Sequence, residues 1–207
     1  MKILNGILAV TVLLTAMFGC GKRVIIRRYY LLENPRLTAS MDLAIAEPLP
    51  FNVDVRDFQV GKAFDQTRIA ARSGSNELDY YFYHHWAVRP SMALADMAHE
   101  LVDHAGVFQH CTRGYSYRPD FIVTGHVMRL ERLLRDAGDD DAHLAIVFEL
   151  IDVASEQQVV RHEFDRTTRL NRDKSMNGFA SAVSQMVSEE TELFIEKIVT
   201  HFEQKQP

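Results

Sequence analysis

The chain has 207 residues, a formal net charge of −5 at neutral pH, and 47% hydrophobic and 25% charged side chains. This is the composition of an ordinary globular protein, and the length is that of one domain with a proper hydrophobic core. A mildly acidic chain lacks the basic surface that nucleic-acid binding requires, so the charge argues against a nucleic-acid partner.

Residues 1–19 predict an export signal. Lys2 is followed by an apolar run over residues 3–18 and then by Gly19 and Cys20, which is the order of a secretory signal peptide. The run is shorter than the ~20 apolar residues of a transmembrane helix, so a permanent span is the weaker interpretation. Lys2 is the only charged residue that cleavage removes, and the mature chain therefore has a formal charge of −6.

Cys20 is the predicted lipid-attachment site. Residues 14–20, LTAMFGC, resemble a bacterial lipobox, in which a small residue precedes a cysteine that becomes diacylated. The alternative is that Cys20 is an apolar thiol beside a conventional cleavage site. A diacylglycerol and an acyl chain such as palmitate on Cys20 would anchor the protein stably, because two chains suffice. No other cofactor is expected.

The residues after Cys20 predict a short tether over residues 20–28, followed by one domain over residues 29–207. The tether is basic, with Lys22, Arg23, Arg27 and Arg28, and either contacts anionic headgroups or is a solvated linker. By resemblance to lipoprotein sorting in enteric bacteria, the absence of Asp after Cys20 implies release to the outer membrane, with the domain in the periplasm.

The first half of the domain predicts four strands and a helix. Residues 28–33 are rich in aromatic and aliphatic side chains, and residues 51–58 alternate between apolar and polar, as half-buried strands do. Residues 67–72 and 78–85 flank a Ser-Gly turn and predict a hairpin. Pro90 then begins a pattern of helical period that ends at Gly106.

The second half predicts a three-stranded meander and a long helix. Strands are expected over residues 121–132, 144–150 and 159–168, with Leu144, Ile146, Phe148 and Leu150 on one face. Apolar residues from Phe179 to Phe202 then recur at helical spacing. The order β-β-β-β-α-β-β-β-α predicts an α+β fold, with a mostly antiparallel sheet and two main helices packed on it.

No motif predicts an enzyme. His99 and Glu100 begin a zinc-protease frame, but Asp103 stands where the second histidine is needed. His84 and His85 are adjacent in a strand and point to opposite faces.

Other candidate metal ligands are also explained without a metal. His126, His143 and His162 lie on different meander strands and are expected to be independent. Residues 139–141, three aspartates, lack the ligand spacing of a calcium loop and predict a polar hairpin tip. Cys111 is the one other cysteine, so it has no disulfide partner and is expected to be a buried or half-buried thiol.

Residues 67–108 carry a resemblance to a known family. The run RIAAR, followed by ELDYYFYHHWAVRP and a helix, together with residues 29–32 after the lipobox, resembles the ABC-type transport auxiliary lipoproteins. These are paraquat-inducible protein C-like companions of mammalian-cell-entry (MCE) domain lipid transport systems. The resemblance implies a periplasm-facing α+β domain without catalysis, whose partners are an MCE-domain protein and ABC transporter components.

The same run predicts a partner interface. Residues 80, 82 and 84 are expected on one strand face and residues 81, 83 and 85 on the other, which leaves Tyr81 and Tyr83 near the surface beside Trp86 and Arg89. Exposed aromatic residues are favoured at interfaces, and an arginine there can form charge-assisted hydrogen bonds. The alternative is that the aromatic residues fill the core and Arg89 only helps to start the helix.

The leading functional hypothesis is a non-enzymatic accessory lipoprotein that docks its periplasmic partner at the outer membrane, with self-association into a ring as a further hypothesis. A periplasmic lipid-binding carrier, with a pocket between sheet and helices, is the first alternative. An outer-membrane assembly factor that adds a strand to a β-barrel partner is another. A hydrolase has no recognisable nucleophile or metal motif behind it.

Overall fold

The computed structural model describes residues 26–35, 47–114, 118–135, 138–171 and 173–204. Cys20, the signal peptide and most of the tether therefore lie outside the described residues. The described part contains strands β1 (Arg28–Tyr30), β2 (Leu49–Val55), β3 (Gln59–Val60), β4 (Arg68–Arg72), β5 (Leu78–Trp86), β6 (Phe108–Arg113), β7 (Phe121–Leu133), β8 (Asp141–Asp152) and β9 (Gln157–Arg169). Its helices are α1 (Pro90–His104) and α2 (Met176–Glu203).

The α+β class is confirmed, with two strands more than the sequence pattern predicted. Strand β3 has only two residues, and β6 has a burial pattern without alternation, so neither shows the period on which strand prediction depends. Both strands pair in parallel with distant parts of the chain, β3 with β7 and β6 with β2.

The longest pairings form the predicted antiparallel meander. Strand β7 pairs with β8 from Phe121 to Leu133, and β8 pairs with β9 along its whole length. The alternating side chains of β8 are fully buried under the helices, as predicted, and are Leu144, Ile146, Phe148 and Leu150. These two long ladders make the single sheet mostly antiparallel by residue pairs, although several shorter ladders are parallel.

The other edge of β7 is shared by three strands in succession. Strand β2 pairs in parallel with its first residues, β3 with its middle and β4 with its last residues. On its other edge, β2 pairs in parallel with β6. Strand β4 forms the predicted hairpin with β5, and β5 pairs in parallel with β1. The sheet therefore divides into two arms, and β1 is the edge of the second arm.

Both helices pack on one face of the sheet and against each other. Helix α1 has Pro90 in its first turn and ends just before Gly106, whose φ of +63° is the left-handed conformation that favours glycine. Helix α2 begins at a cap in which the Gly178 amide donates to Ser175 Oγ over 3.2 Å. Its buried stripe includes Phe179 and Phe194, and α2 lies over β8 and β9.

Gly125 in the middle of β7 gives the ring of Phe58 a place to pack. A Cβ at position 125 would lie 2.8 Å from Phe58 Cδ2, and Phe58 is 2% exposed and in edge contact with Phe148. We expect Gly125→Ala to lower the free energy of unfolding by about 1–3 kcal/mol, because the added methyl group overpacks the core. Urea unfolding followed by the fluorescence of Trp86 measures the change.

The matched control is Gly61→Ala. There the added Cβ would meet its nearest neighbours, the Phe64 ring and the Val127 carbonyl, at 3.6 Å, an ordinary van der Waals distance. Equal free energies of unfolding for the two variants would contradict the conclusion that the Phe58 ring packs against Gly125 because position 125 has no side chain.

Candidate interaction surfaces

Strand β5 contains a large irregularity where a regular strand was predicted. Ala70 of β4 is opposite Tyr80, and Arg68 is opposite His85. Between these two pairs β5 advances by five residues, whereas β4 advances by two. A bulge of this kind bends the strand and re-aims its side chains. Phe82 and Tyr83 are consequently both exposed, and the prediction that they occupy opposite faces in strict alternation is wrong.

Trp86 and Tyr81 are not the surface residues that the sequence predicted. Trp86 is 2% exposed and its ring lies 5.7 Å from that of Phe179, so its prediction as a surface residue is wrong. The reason is that β5 ends under the helices, where the Trp86 amide donates to the Thr67 carbonyl. Tyr81 is half-buried against the core, and burial raises the pKa of its hydroxyl.

Tyr83 and Arg89 are exposed but lie on either side of the buried residues His85 and Trp86. Arg89 is 61% exposed at its side chain, and its Nη1 lies 3.8 Å from Asp65 Oδ2. Its carbonyl also accepts from the first amides of α1, so it helps to start the helix as well. The single predicted patch is thus replaced by two surfaces, one around the start of the β1–β5 pair and one beyond its end.

The first surface, the anchor-side patch, is defined by the exposed side chains of Ile26, Tyr29, Phe82 and Tyr83. Strand β1 is parallel to β5 with Arg28 opposite His84, and Ile26 and Phe82 each stand two positions before these paired residues, so both belong to the same end of the β1–β5 pair. The rings of Phe82 and Tyr83 are in edge contact, with centroids 4.8 Å apart. Exposures of 72% for Ile26 and 66% for Phe82 leave both apolar side chains largely open to solvent.

The second surface, the α1 cleft, is a cavity of about 450 Å³ between the chain after β1 and helix α1. Its lining includes Leu31, Glu33, Val88, Asp96, Met97 and Glu100. The floor is apolar, and Leu31 and Val88 remain 54% and 37% exposed at its mouth. A concave apolar floor with a few polar groups is the usual form of a binding site.

One wall of the α1 cleft is held by Asn34. Its Nδ2 donates to the Met97 carbonyl at 3.0 Å and to Glu100 Oε2 at 2.6 Å, both on α1. Its Oδ1 accepts from Ser188 Oγ of α2 at 3.1 Å. The Glu33 amide adds a bond to Ser184 Oγ of α2. The segment after β1 is therefore fastened to both helices, which gives the cleft a fixed shape.

Acidic side chains line the rim of the α1 cleft. Glu33, Asp96 and Glu100 all border it. Asp96 accepts from Arg113 Nε at 2.7 Å, which balances its charge, while Glu100 is bonded to the neutral Asn34 amide. The cleft therefore combines apolar contact with a net negative rim.

The residues of the most buried titratable cluster form hydrogen bonds and ion pairs with one another. Glu131, whose side chain is fully buried, accepts two hydrogen bonds from Arg72, at 2.9 and 2.8 Å, and its Oε1 lies 3.1 Å from His143 Nδ1. His143 Nε2 lies 2.8 Å from Asp165 Oδ1. The hydrogen bond to Glu131 raises the pKa of His143, although burial opposes the shift, and Asp165 adds to it.

The other histidines of the meander also contact charged side chains. His162 lies between Glu190 and Lys197, at 2.7 and 2.8 Å, and His126 lies near Glu149, so the three meander histidines are independent as predicted. Within the described residues no group of three or more His, Cys, Asp or Glu side chains is placed to hold a metal ion.

Residues 139–141 lie at the β7–β8 hairpin, where a polar hairpin tip was predicted, and each forms an ion pair. Asp140 and Asp141 are buried, at 9% and 4% exposure. The pairs are Asp139 with Lys174, Asp140 with Arg132, and Asp141 with Arg135. Their carboxylates close the end of the β7–β8 hairpin.

Cys111 is half-buried in β6, as predicted. Burial raises the pKa of its thiol to about 12, and nearby carboxylates add to the shift. Such a thiol stays protonated and is a poor nucleophile.

Neither helix in the described residues is long and apolar enough to cross a bilayer.

Comparison with known proteins matches most of the chain to one family. A family model described as the ABC-type transport auxiliary lipoprotein component matches residues 30–192. No curated protein matches the sequence.

Two solved structures are similar in fold. Protein XCC0632 from Xanthomonas campestris superimposes with a TM-score of 0.67 at 18% identity, covering 86% of this chain and 100% of that one. A second crystal structure, of an uncharacterized protein, has a TM-score of 0.65 at 10% identity and covers 84% and 99% of the two chains. At these identities the likeness shows the fold alone.

The His143–Glu131 pair predicts a pH dependence of stability. Because the pKa of His143 is raised on folding, its stabilisation is complete below about pH 6.5 and is lost as the pH rises through the raised pKa. The pKa of Glu131 is lowered, since bonds from His143 and Arg72 outweigh burial, so its contribution is lost only as the pH falls below about 4.5.

We therefore expect the urea concentration at the unfolding midpoint to decrease as the pH is raised from about 6 to about 9. In His143→Gln this dependence of the midpoint on pH should become weaker. The exposed His110→Gln is the control, and an unchanged slope in His143→Gln would show that the pair does not titrate with folding.

Proposed function

Because the chain belongs to the family of ABC-type transport auxiliary lipoprotein components, we propose that it is a non-enzymatic accessory lipoprotein of an intermembrane lipid transporter. Its role is to dock the MCE-domain partner of that transporter at the outer membrane. The lipid on Cys20 holds it to the membrane, and the domain makes the protein contact in the periplasm. Its buried acidic side chains and histidines are paired with neighbouring side chains, which supports a role in protein binding rather than in catalysis.

The observation that carries the docking role is the α1 cleft. Its fixed wall and apolar floor suit an inserted side chain, and its acidic rim of Glu33 and Glu100 suits flanking Lys or Arg. The partner contribution that fits is an apolar side chain next to basic residues. Arg89 lies at the nearby start of α1 and is free to meet an acceptor, with only a 3.8 Å contact to Asp65.

The position of the cleft relative to the tether supports the same role. The chain enters the domain at Ile26, at the first end of β1, whereas Leu31 and Val88 lie beyond its other end. The cleft therefore begins at the opposite end of β1 from the residues that join the tether, which suits a contact with a partner rather than with the anchoring membrane. A lipid anchor raises the effective concentration for this second contact without new protein contacts.

An apolar pocket at the other end of the domain favours lipid binding as a second candidate function. This pocket has a volume of about 420 Å³ and includes Leu49, Phe51, Phe121, Val159 and Phe202 in its lining. Phe121 and Phe202 are in edge contact at 5.3 Å. Apolar walls of this kind accept an acyl chain, and phospholipid in the mass spectrum of gently purified protein would favour the carrier function.

The docking role is tested by placing charge at the mouth of the α1 cleft. We expect Leu31→Asp together with Val88→Asp to reduce recovery of the MCE-domain protein from crosslinked cells by about tenfold or more, because two exposed apolar contacts are replaced by solvated charges. The measurement is quantitative mass spectrometry of proteins recovered with the lipoprotein.

Val153→Asp with Leu193→Asp is the matched control, since both residues have similar exposure, 38% and 43%, but lie elsewhere. Cys20→Ala should lower recovery in cells while leaving the affinity of the purified domain unchanged. Equal recovery with the cleft and control variants would remove the cleft from the interface, and recovery of a β-barrel instead would favour the assembly-factor function.

A further inference from the structure

The anchor-side patch is apolar, aromatic and basic at once. Ile26, Tyr29 and Phe82 are 72%, 61% and 66% exposed, and the side chains of Arg27 and Arg28 between them are also exposed. Several large apolar and aromatic side chains exposed on two paired segments exceed the scattered single residues of an ordinary soluble surface, and such groups mark interaction sites. The α1 cleft has an acidic rim, so the two surfaces suit different occupants.

The chain length before the patch limits where it can lie. Only five residues separate Cys20 from Ile26, and a fully extended chain over six residue steps reaches about 20 Å. If Cys20 carries the lipid, as the proposed function requires, Ile26 cannot be farther than this from the point of lipid attachment, and the β1 end of the patch is therefore held near the membrane surface. Two of the intervening residues, Lys22 and Arg23, are also basic.

The bulge in β5 is what exposes the rings of this patch. In a regular hairpin one of Phe82 and Tyr83 would point to the helix side of the sheet. The extra residues of β5 instead leave both rings exposed, and the two rings are in edge contact with centroids 4.8 Å apart. The bulge is held by His85, whose Nε2 lies 3.1 Å from the Phe82 carbonyl oxygen.

We infer that the anchor-side patch lies in the interfacial layer of the leaflet that holds the Cys20 lipid. Phe82, Tyr29 and Ile26 contact the boundary between headgroups and acyl chains, where aromatic side chains are favoured, and Arg27 and Arg28 meet anionic lipid groups. The inference rests on the lipid anchor of the proposed function. It adds that the domain has one orientation, with the α1 cleft facing away from the membrane.

The test places a fluorescent side chain in the patch of the full-length acylated protein. The natural chain has one tryptophan, Trp86, which is buried and serves as the background. Phe82→Trp and, as control, Val153→Trp are reconstituted into phosphatidylethanolamine and phosphatidylglycerol vesicles with or without brominated acyl chains. Val153 is 38% exposed at the β8–β9 turn, at the opposite end of β7 from the β4–β5–β1 arm.

We expect brominated lipid to quench the emission added by Phe82→Trp by about twofold more than that added by Val153→Trp, since aromatic side chains at the interface lie within reach of the acyl chains. Arg27→Gln with Arg28→Gln in the Phe82→Trp protein should reduce this difference, and removing phosphatidylglycerol should have the same effect. Equal quenching at the two positions in vesicle-bound protein would overturn the inference.

The experiment separates this inference from the docking role, because the vesicles contain no transporter component. Protein that fails to float with the vesicles would overturn both the anchor and the inference. If emission from Phe82→Trp is insensitive to brominated lipid and changes only when an MCE-domain protein is added, the patch is a protein interface, and the membrane assignment is wrong.

Discussion

Strand β7 is bonded along both of its edges, and the positions of the other elements follow from that constraint. One edge carries the long ladder to β8, and the other carries β2, β3 and β4 one after another. Three strands fit on one edge because β7 has thirteen residues, whereas its neighbours on that side have seven, two and five. Gly125 at the middle of β7 leaves room for Phe58, whose ring contacts Phe148 beneath the helices.

The forked sheet separates the surfaces that matter for function. Because β4 pairs with the last residues of β7, the hairpin partner β5 and the edge strand β1 are carried to one end of the sheet. The aromatic pocket at Phe51 and Phe202 lies at the other end, where β2 pairs with the first residues of β7. The first described residues lead into β1 and therefore belong to the end of the sheet that lies opposite this pocket.

Local patterns in the sequence predicted the parts of the fold whose periodicity is intact. The alternation of β8 placed Leu144 and Phe148 in the core, and the helical spacing after Pro90 gave α1 with nearly correct ends. The parallel pairings of β3 and β6 join distant segments and leave no local signal, so those strands were missed.

The candidate surface was less predictable for the same reason. The bulge in β5 is visible only from the register with β4, and it reversed the expected orientation of Phe82. Trp86 is buried because β5 continues under α2, where Phe179 covers it, which the composition of the run does not reveal. Arg89, predicted at the surface as a possible hydrogen-bond donor to a partner, is exposed, and it also helps to start α1, which was the alternative interpretation.

The free energy of burying a few side chains is small, but it is large enough to orient a protein that is already anchored. Burying one aromatic or large aliphatic side chain contributes about 1.5–3 kcal/mol at most, and partial insertion contributes less. That is too little to hold a soluble domain at a bilayer, because the lost freedom of association costs more. A protein already held by acyl chains has lost that freedom, so the same contact acts only on its orientation. Since about 1.4 kcal/mol changes an equilibrium tenfold, insertion of one ring such as Phe82 is sufficient, under the proposed anchoring, to favour one orientation of the domain over the others.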